Sequence, residues 1–310
     1  MLKPHLTYEE QLNLLEKRGI KIKNKEAASF KIQNINYYKI KEFAEPFKII
    51  EEIEENGNII KKEKYQNISF EGIINRFYTD KNLRIYLLEA IEKVELSIKT
   101  KLGYIFGKYY GGYGYLEFNK WCNKEKYCIF YIRDQQKQFT KRISEYVLDR
   151  GNVFIQEILE EDKNTKIPIW LIIELLTFGD IVKMYELMSN KLRKELAAEY
   201  NLEANTLEKY LKTLRLVRNF SAHNKKIIDL ELKTCPPIRE EWKEYLDNDI
   251  KGIAIPIFIL KQLIDKINPK YNFGNIHKTL AKYISHKNLK AKYLGFKDYE
   301  SINFLFKKNK

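Results

Sequence analysis

The sequence predicts an all-α fold, and three observations carry that prediction. Only 13 glycines and 7 prolines interrupt 310 residues, so breakers are scarce. Long stretches are rich in Leu, Ile, Lys and Glu, which favour or tolerate helix. Leu83, Leu87, Ile91, Val94, Ile98 and Leu102 recur at spacings of three and four, the period of an amphipathic helix. Hydrophobic residues make up 44% and aromatics 14% of the chain, which excludes wholesale disorder. The length permits a substantial core in one large domain or two.

The elements follow in order. Residues 7–18 open with Thr7 and carry Glu10 three places on, a capping box, and Gly19 suits the position just past the helix end. A second helix is expected over 24–34. The run from Asn36 to Phe47 carries Tyr37, Tyr38, Phe43 and Phe47, residues that either stack on bases or are buried. Over 49–66, Asn56-Gly57 separates two Ile-containing arms and reads as a small hairpin or a mobile excursion. Ser69, Gly72 and Ile73 open one helix, and a long one is expected from 80 to 106. Its Glu92, Glu95 and Lys99 read as solvent pairs or as neighbours of a site.

The glycine-rich run 107–115 reads as a loop and lacks any phosphate-binding glycine signature. Its interleaved Tyr and Lys suit either single-stranded RNA or ordinary packing. Helices follow over 124–150 and 152–161. Pro168 suits the first position of the helix over 169–178. Gly179 is expected to interrupt it, with a restart at Asp180 or a nearby residue running to about Met188. Two more helices cover 189–200 and 204–221. Cys235-Pro236-Pro237 marks a boundary, followed by helices near 253–266 and 275–285, the segment 287–296 and a basic end at 306–310. The expected regions are 1–66, 67–234 and 235–310.

The charge balance is 56 basic to 42 acidic residues, a net +14. Such an excess suits a polyanionic partner. Most of it is Lys, in a chain generally rich in Lys, Ile and Asn. An even spread therefore reads as solvation and only a clustered one as nucleic-acid binding. Cys122, Cys128 and Cys235 have neither CxxC spacing nor even number, so no disulfide framework, zinc site or other metal is expected. Three reduced cysteines fit a cytoplasmic protein. Met1 to His5 shows no signal-like apolar region. The apolar windows 167–178 and 253–263 are too short to span a bilayer.

The most informative run is Arg218-Asn219-Phe220-Ser221-Ala222-His223. With four histidines and ten arginines, an Arg followed five places later by His is expected about 0.1 times by accident. Arginine grips phosphate bidentately, and histidine moves protons near neutral pH. Leu207, Leu211 and Leu214 form an apolar stripe that Arg218 continues, with Arg215, Asn219 and His223 on the adjacent side. An arginine there is costly unless it meets an anion or snorkels to water. The competing reading is a polar helix end whose histidine is favoured by the helix dipole.

These residues, with others in the same order, resemble the abortive-infection proteins of the AbiD/AbiF type. The shared landmarks are Lys3-Pro4, Gln11 to Gly19, Asn36-Tyr37-Tyr38, Asp80 to Arg84, Glu92-Lys-Val-Glu95, Pro168-Ile-Trp170, Glu174, Phe178-Gly179, Arg218-Asn219, Ala222-His223 and Leu294-Gly-Phe296. The resemblance implies phage defence and a HEPN-like helical bundle with N- and C-terminal extensions. It implies that the Arg-x4-His motif makes a metal-independent endoribonuclease, without cofactor, in which two motifs from a homodimer form one site. A structured small noncoding RNA is the implied partner, and proposed ancestors of type VI CRISPR effectors are related.

Lys225-Lys226 stand where relatives often carry Arg, and Lys99-Thr100 where they often carry Arg-Thr. Charge is kept there but the bidentate fork is lost. In the expected mechanism His223 is the general base, Arg218 stabilises the phosphoryl charge and Asn219 orients one of them. Lys212, Arg215, Asn224, Lys225, Lys226 and Lys99 are the candidate RNA contacts. The alternatives are a module that holds a noncoding RNA without cutting it and a defence scaffold with an inert motif.

Overall fold

Among the described residues, helices account for nearly all the regular structure and one antiparallel hairpin for the rest. The computed structural model describes residues 5–55, 58–150, 153–161, 166–285 and 287–307. Residues 1–4 with the Lys3-Pro4 landmark, the Asn56-Gly57 tip, residue 152 at one expected helix start and the terminal 308–310 lie outside these. The chain divides into two units, Met1–Arg84 and Ile85–Lys310.

In the first unit, α1 (Tyr8–Lys17) begins at the expected capping box, Thr7 and Glu10 each satisfying the other's backbone N–H. It ends in a Schellman motif: Gly19 N–H donates to the Glu16 carbonyl at 2.8 Å and Ile20 N–H to the Leu15 carbonyl at 3.1 Å. Gly19 has φ +93°, and a Cβ there would lie 2.6 Å from the Tyr65 carbonyl oxygen. Only glycine meets both demands. Helices α2 (Lys25–Asn34) and α3 (Tyr37–Ala44) are capped by Asn24 and Asn36. Of the aromatic run, Phe43 is buried and Tyr38 is exposed.

Strands β1 (Lys48–Glu55) and β2 (Asn58–Tyr65) form the expected hairpin, with Lys48 opposite Tyr65 and Glu51 opposite Lys62. Leu12, Leu15, Ile32, Ile40, Phe43 and Ile73 supply the buried apolar side chains of this unit.

Helix α4 (Phe70–Tyr110) corrects the expectation of two helices: it is one helix of 41 residues. It also continues through the first four residues of the expected 107–115 loop. Gly103 and Gly107 lie inside it, facing Ile173 and Trp170: a Cβ on either would stand at ordinary contact distance, 3.6 Å from Ile173 and 4.0 Å from Trp170. The chain turns only at Gly111, where φ is +67°.

The second unit continues with α5 (Phe118–Trp121), α6 (Ile129–Arg150), α7 (Val153–Glu161) and α8 (Ile169–Leu175). Helix α6 starts later than the expected 124, because the Asn123 side chain accepts the Glu125 and Lys126 N–H groups in a turn. Pro168 occupies the cap rather than the first helical position. The break before α9 (Phe178–Leu187) falls at Leu176-Thr177, not at Gly179. Thr177 and Asp180 form a capping box, and this nucleates the new helix two residues before Asp180.

Helices α10 (Asn190–Ala198) and α11 (Ala204–Ala222) follow, then α12 (Ala254–Ile267), α13 (Gly274–Ile284) and α14 (Asn288–Tyr293). Helix α11 packs against α9, α10 and α12 through the buried Leu207, Tyr210, Leu211, Leu214 and Val217. Near its start, buried Arg193 of α10 reaches Glu208 at 2.6 Å and the Asn205 side chain at 2.9 Å. The Leu294-Gly295-Phe296 landmark closes the far end. Gly295 (φ +88°) crosses Gly252 so tightly that a Cβ on Gly252 would meet the Leu294 carbonyl at 2.4 Å.

Two outcomes are expected of this architecture. Gly19→Ala will lower stability by about 1–3 kcal/mol through strain and the Tyr65 contact, read as a lower denaturant midpoint. Burial raises the Glu208 pKa, but the hydrogen bond from Lys212 and the nearby charges hold it below its ordinary value. The stability it contributes is therefore present above about pH 4.3 and is lost as the pH falls through the depressed value. Glu208→Gln will destabilise by about 3 kcal/mol at neutral pH, leaving Arg193 unpaired. The gap from the parent will close in acid denaturation scans.

Candidate functional site

The last two turns of α11 and the residues just beyond it hold the sequence-predicted site. Val217 is fully buried, so the next residue, Arg218, emerges half-buried at the edge of the packed face. It lines an open hollow of about 690 Å³ together with Leu88, Glu89, Glu92, Lys93, Glu95, Leu96 and Lys99 of α4 and Glu174 of α8. Four carboxylates therefore surround this space. Lys99, 9% exposed, pairs with Glu95 at 3.2 Å and donates to the Glu174 carbonyl at 3.3 Å. Arg218 makes no hydrogen bond or ion pair among the described residues. Its guanidinium lies at the border of an acid-rich hollow without being consumed by it.

Arg215 sits one turn earlier, half-buried beside Gly179, its Cδ 3.9 Å from where a Cβ on Gly179 would stand. It too has no ionic partner among the described residues. Two arginines at i and i+3 lie on neighbouring faces of one helix, and both keep their donors free.

His223 is the C-cap of α11 and is exposed. Its position is set by a second Schellman motif. Asn224 adopts φ +56°, and the Lys225 N–H donates to the Phe220 carbonyl at 2.8 Å. The Lys225 ammonium lies 5.2 Å from the Phe220 ring centroid. Asn224 is thus the left-handed residue that stops the helix, a role that asparagine fills more readily than most residues other than glycine. The His223 ring has no hydrogen-bond partner among the described residues. Asn219, one turn before it, is exposed. At 100° per residue, Arg218 and His223 point about 140° apart. The structure brings Arg218, Lys99, Glu95 and Glu174 together, and His223 is not among the residues lining their hollow.

The remaining candidates are engaged internally. Lys212 pairs with Glu208 at 2.7 Å and Glu186 at 3.4 Å. Burial would lower its pKa, but those two carboxylates raise it above the ordinary lysine value. Lys226 pairs with Asp229 at 2.8 Å. Among the described residues no group of three or more His, Cys, Asp or Glu side chains is placed to hold a metal ion. Burial raises the Cys122 thiol to about 12.

Sequence reasoning placed Glu92, Glu95 and Lys99 on one helix face but had no local signal joining them to Arg218, more than a hundred residues away. The only pointer to Glu174 was its place among the ordered landmarks.

An all-α protein with two unpaired arginines and an exposed histidine at the end of a packed helix is the class defined here. A family model described as "Abi-like protein" matches residues 31–229, and the chain belongs to that family of abortive-infection proteins. No curated protein and no solved structure matches the chain.

Because Arg218 has no internal partner, Arg218→Met will change thermal or denaturant stability by less than about 1 kcal/mol. A structural buried pair would cost about 3–5 kcal/mol when broken.

Proposed function

We propose that this Abi-like protein is a cytoplasmic antiphage RNA-binding protein with a HEPN-type domain. It takes a structured small noncoding RNA as partner and cleaves RNA without a metal through Arg218 and His223. The observation that carries the reading is that Arg218, Arg215 and His223 are all left without internal partners at one helix end. A fold gains nothing from unpaired half-buried arginines, whereas a phosphate satisfies them in bidentate geometry.

In the proposed reaction the His223 imidazole takes the proton of a ribose 2′-hydroxyl, a group only RNA offers. The 2′-oxygen bonds to phosphorus and the bond from phosphorus to the 5′-oxygen breaks. Arg218 stabilises the charge that accumulates on the phosphoryl oxygens. The leaving 5′-oxygen takes a proton from a second imidazolium. One chain has one motif histidine, so that acid is His223 of a second copy, and the working unit is a homodimer. The divergence of Arg218 and His223 around the helix fits a site completed from two sides. Asn219 sits one turn from His223, in place to orient the ring or the phosphate. Lys99, held between Glu95 and the Glu174 carbonyl, contributes positive charge to the same hollow.

A second reading is a module that holds its RNA intact. It is favoured by the His223 ring, which makes no hydrogen bond to the protein among the described residues. The two separate in one experiment. Cleavage reading requires products ending in 2′,3′-cyclic phosphate and 5′-hydroxyl, formed in the presence of a chelator. His223→Ala will slow the reaction by about 10²–10⁴-fold with RNA affinity within about threefold of the parent. Undiminished cleavage by that variant, or cleavage that stops on chelation and returns with added metal, defeats the nuclease scheme. RNA that stays intact for hours on the parent protein supports the holding module instead.

A further inference from the structure

The positive charge of this chain is concentrated at one end. Residues 266–310 hold eleven lysines against Asp298 and Glu300, a net +9 of the total +14. Elsewhere lysines are commonly paired, as in Lys25–Glu16, Lys61–Glu52, Lys64–Glu51 and Lys101–Glu199. In the C-terminal stretch, Lys270, Lys278, Lys282, Lys287, Lys292 and Lys297 are all exposed and have no acidic partner among the described residues. The two acids there are occupied. Asp298 accepts from Ser301, and Glu300 accepts from Asn303.

The fold holds these lysines outward. Ile276, Leu280 and Ile284 bury one face of α13, which leaves Lys278 and Lys282 on the other. The crossing of Gly295 over Gly252 fixes the segment that carries Lys292 and Lys297. Tyr293 and Phe306 are exposed in the same stretch, each 56%. The stretch also begins at the rim of the Arg218 hollow. The Tyr271 hydroxyl donates to Glu89, and the Lys93 ammonium lies 5.6 Å from the Tyr271 ring centroid. Glu89 and Lys93 both line that hollow.

We propose that residues 270–285 and 287–297 form a second RNA-binding surface, outside the family-matched segment, which grips the phosphate backbone of a single-stranded region and leads it toward Arg218. Clustered unpaired lysines release counterions on binding a polyanion, and neighbouring exposed aromatics suit unstacked bases. An anionic membrane is the weaker fit, because interfacial helices need a free apolar face and that of α13 is buried. The inference rests on the RNA partner of the proposed function, not on cleavage.

The test uses the full chain in a His223→Ala background and a labelled single-stranded RNA of mixed sequence, titrated over a range of salt. Replacing Lys278, Lys282, Lys287 and Lys292 by Gln is expected to weaken binding at least tenfold. The slope of log affinity against log salt becomes shallower by about 0.7 for each lysine that engaged a phosphate. The same four positions as Arg restore both. A control removing equal charge from Lys25, Lys61, Lys64 and Lys101 stays within threefold. Equal losses in the two Gln variants overturn the proposal, as does unchanged binding in the first, or no RNA binding by the parent. So does a loss confined to binding of phosphatidylglycerol vesicles. Failure of the parent chain to cleave RNA, with these binding results intact, sinks the nuclease reading alone.

Discussion

Helix α11 is held on three sides, by α9, α10 and α12, and its rigidity is the constraint on which the candidate site depends. Leu207, Tyr210, Leu211, Leu214 and Val217 are each fully buried, and at about 1.5–3 kcal/mol for each large apolar side chain they fix both the depth and the rotation of the helix. Near its N-terminal end, the Arg193–Glu208 and Lys212–Glu186 pairs tie it to α10 and α9. With rotation fixed there, Arg218 has one available outlook, the hollow between α4 and α8. Neither arginine of the last turns needs an internal partner, because the hydrophobic stripe before them already sets the geometry.

Charge in this protein follows two regimes. Around the start of α11 the buried and half-buried cations that face its neighbours are matched: Arg193 with Glu208, Lys212 with Glu208 and Glu186. Such pairs specify how helices meet rather than add much net stability. At the end of α11, Arg215 and Arg218, and in the C-terminal stretch Lys270, Lys278, Lys282, Lys287, Lys292 and Lys297, have no ionic partner among the described residues. Unmatched charge at a surface costs the fold little and remains available to a partner, so the separation of the two regimes marks where folding ends and recognition begins.

Local signals made much of this legible in the sequence. Thr7 and Glu10 sit three apart and form the expected capping box; the Ile-containing arms around residues 56–57 form the expected hairpin; Leu207, Leu211 and Leu214 lie on the expected buried face. The failures differ in cause. Helix α4 runs on through Gly107, where glycine content alone reads as the start of a loop, and the chain turns only at Gly111. The break at Leu176-Thr177 was hidden by the nearer and more conspicuous Gly179, although Thr177 and Asp180 carry a capping-box spacing. At the site, the arginine and histidine were visible as a spacing, but the ring of carboxylates facing Arg218 comes from α4 and α8 and exists only after folding.

The Schellman motif at Asn224 places His223 at the last position of a helix rather than within one. A terminal turn opens at a fraction of the free energy needed to unfold the protein, and here the closing contacts include the left-handed Asn224 and the Lys225 N–H donated to the Phe220 carbonyl. The position of the histidine is therefore governed by a local equilibrium that is separate from global stability. Warming, or a contact made by a bound partner against the 220–225 segment, will loosen or tighten this turn while α11 itself stays folded. The same six residues that stop the helix thus act as a hinge-sized thermostat on the group proposed to move the proton.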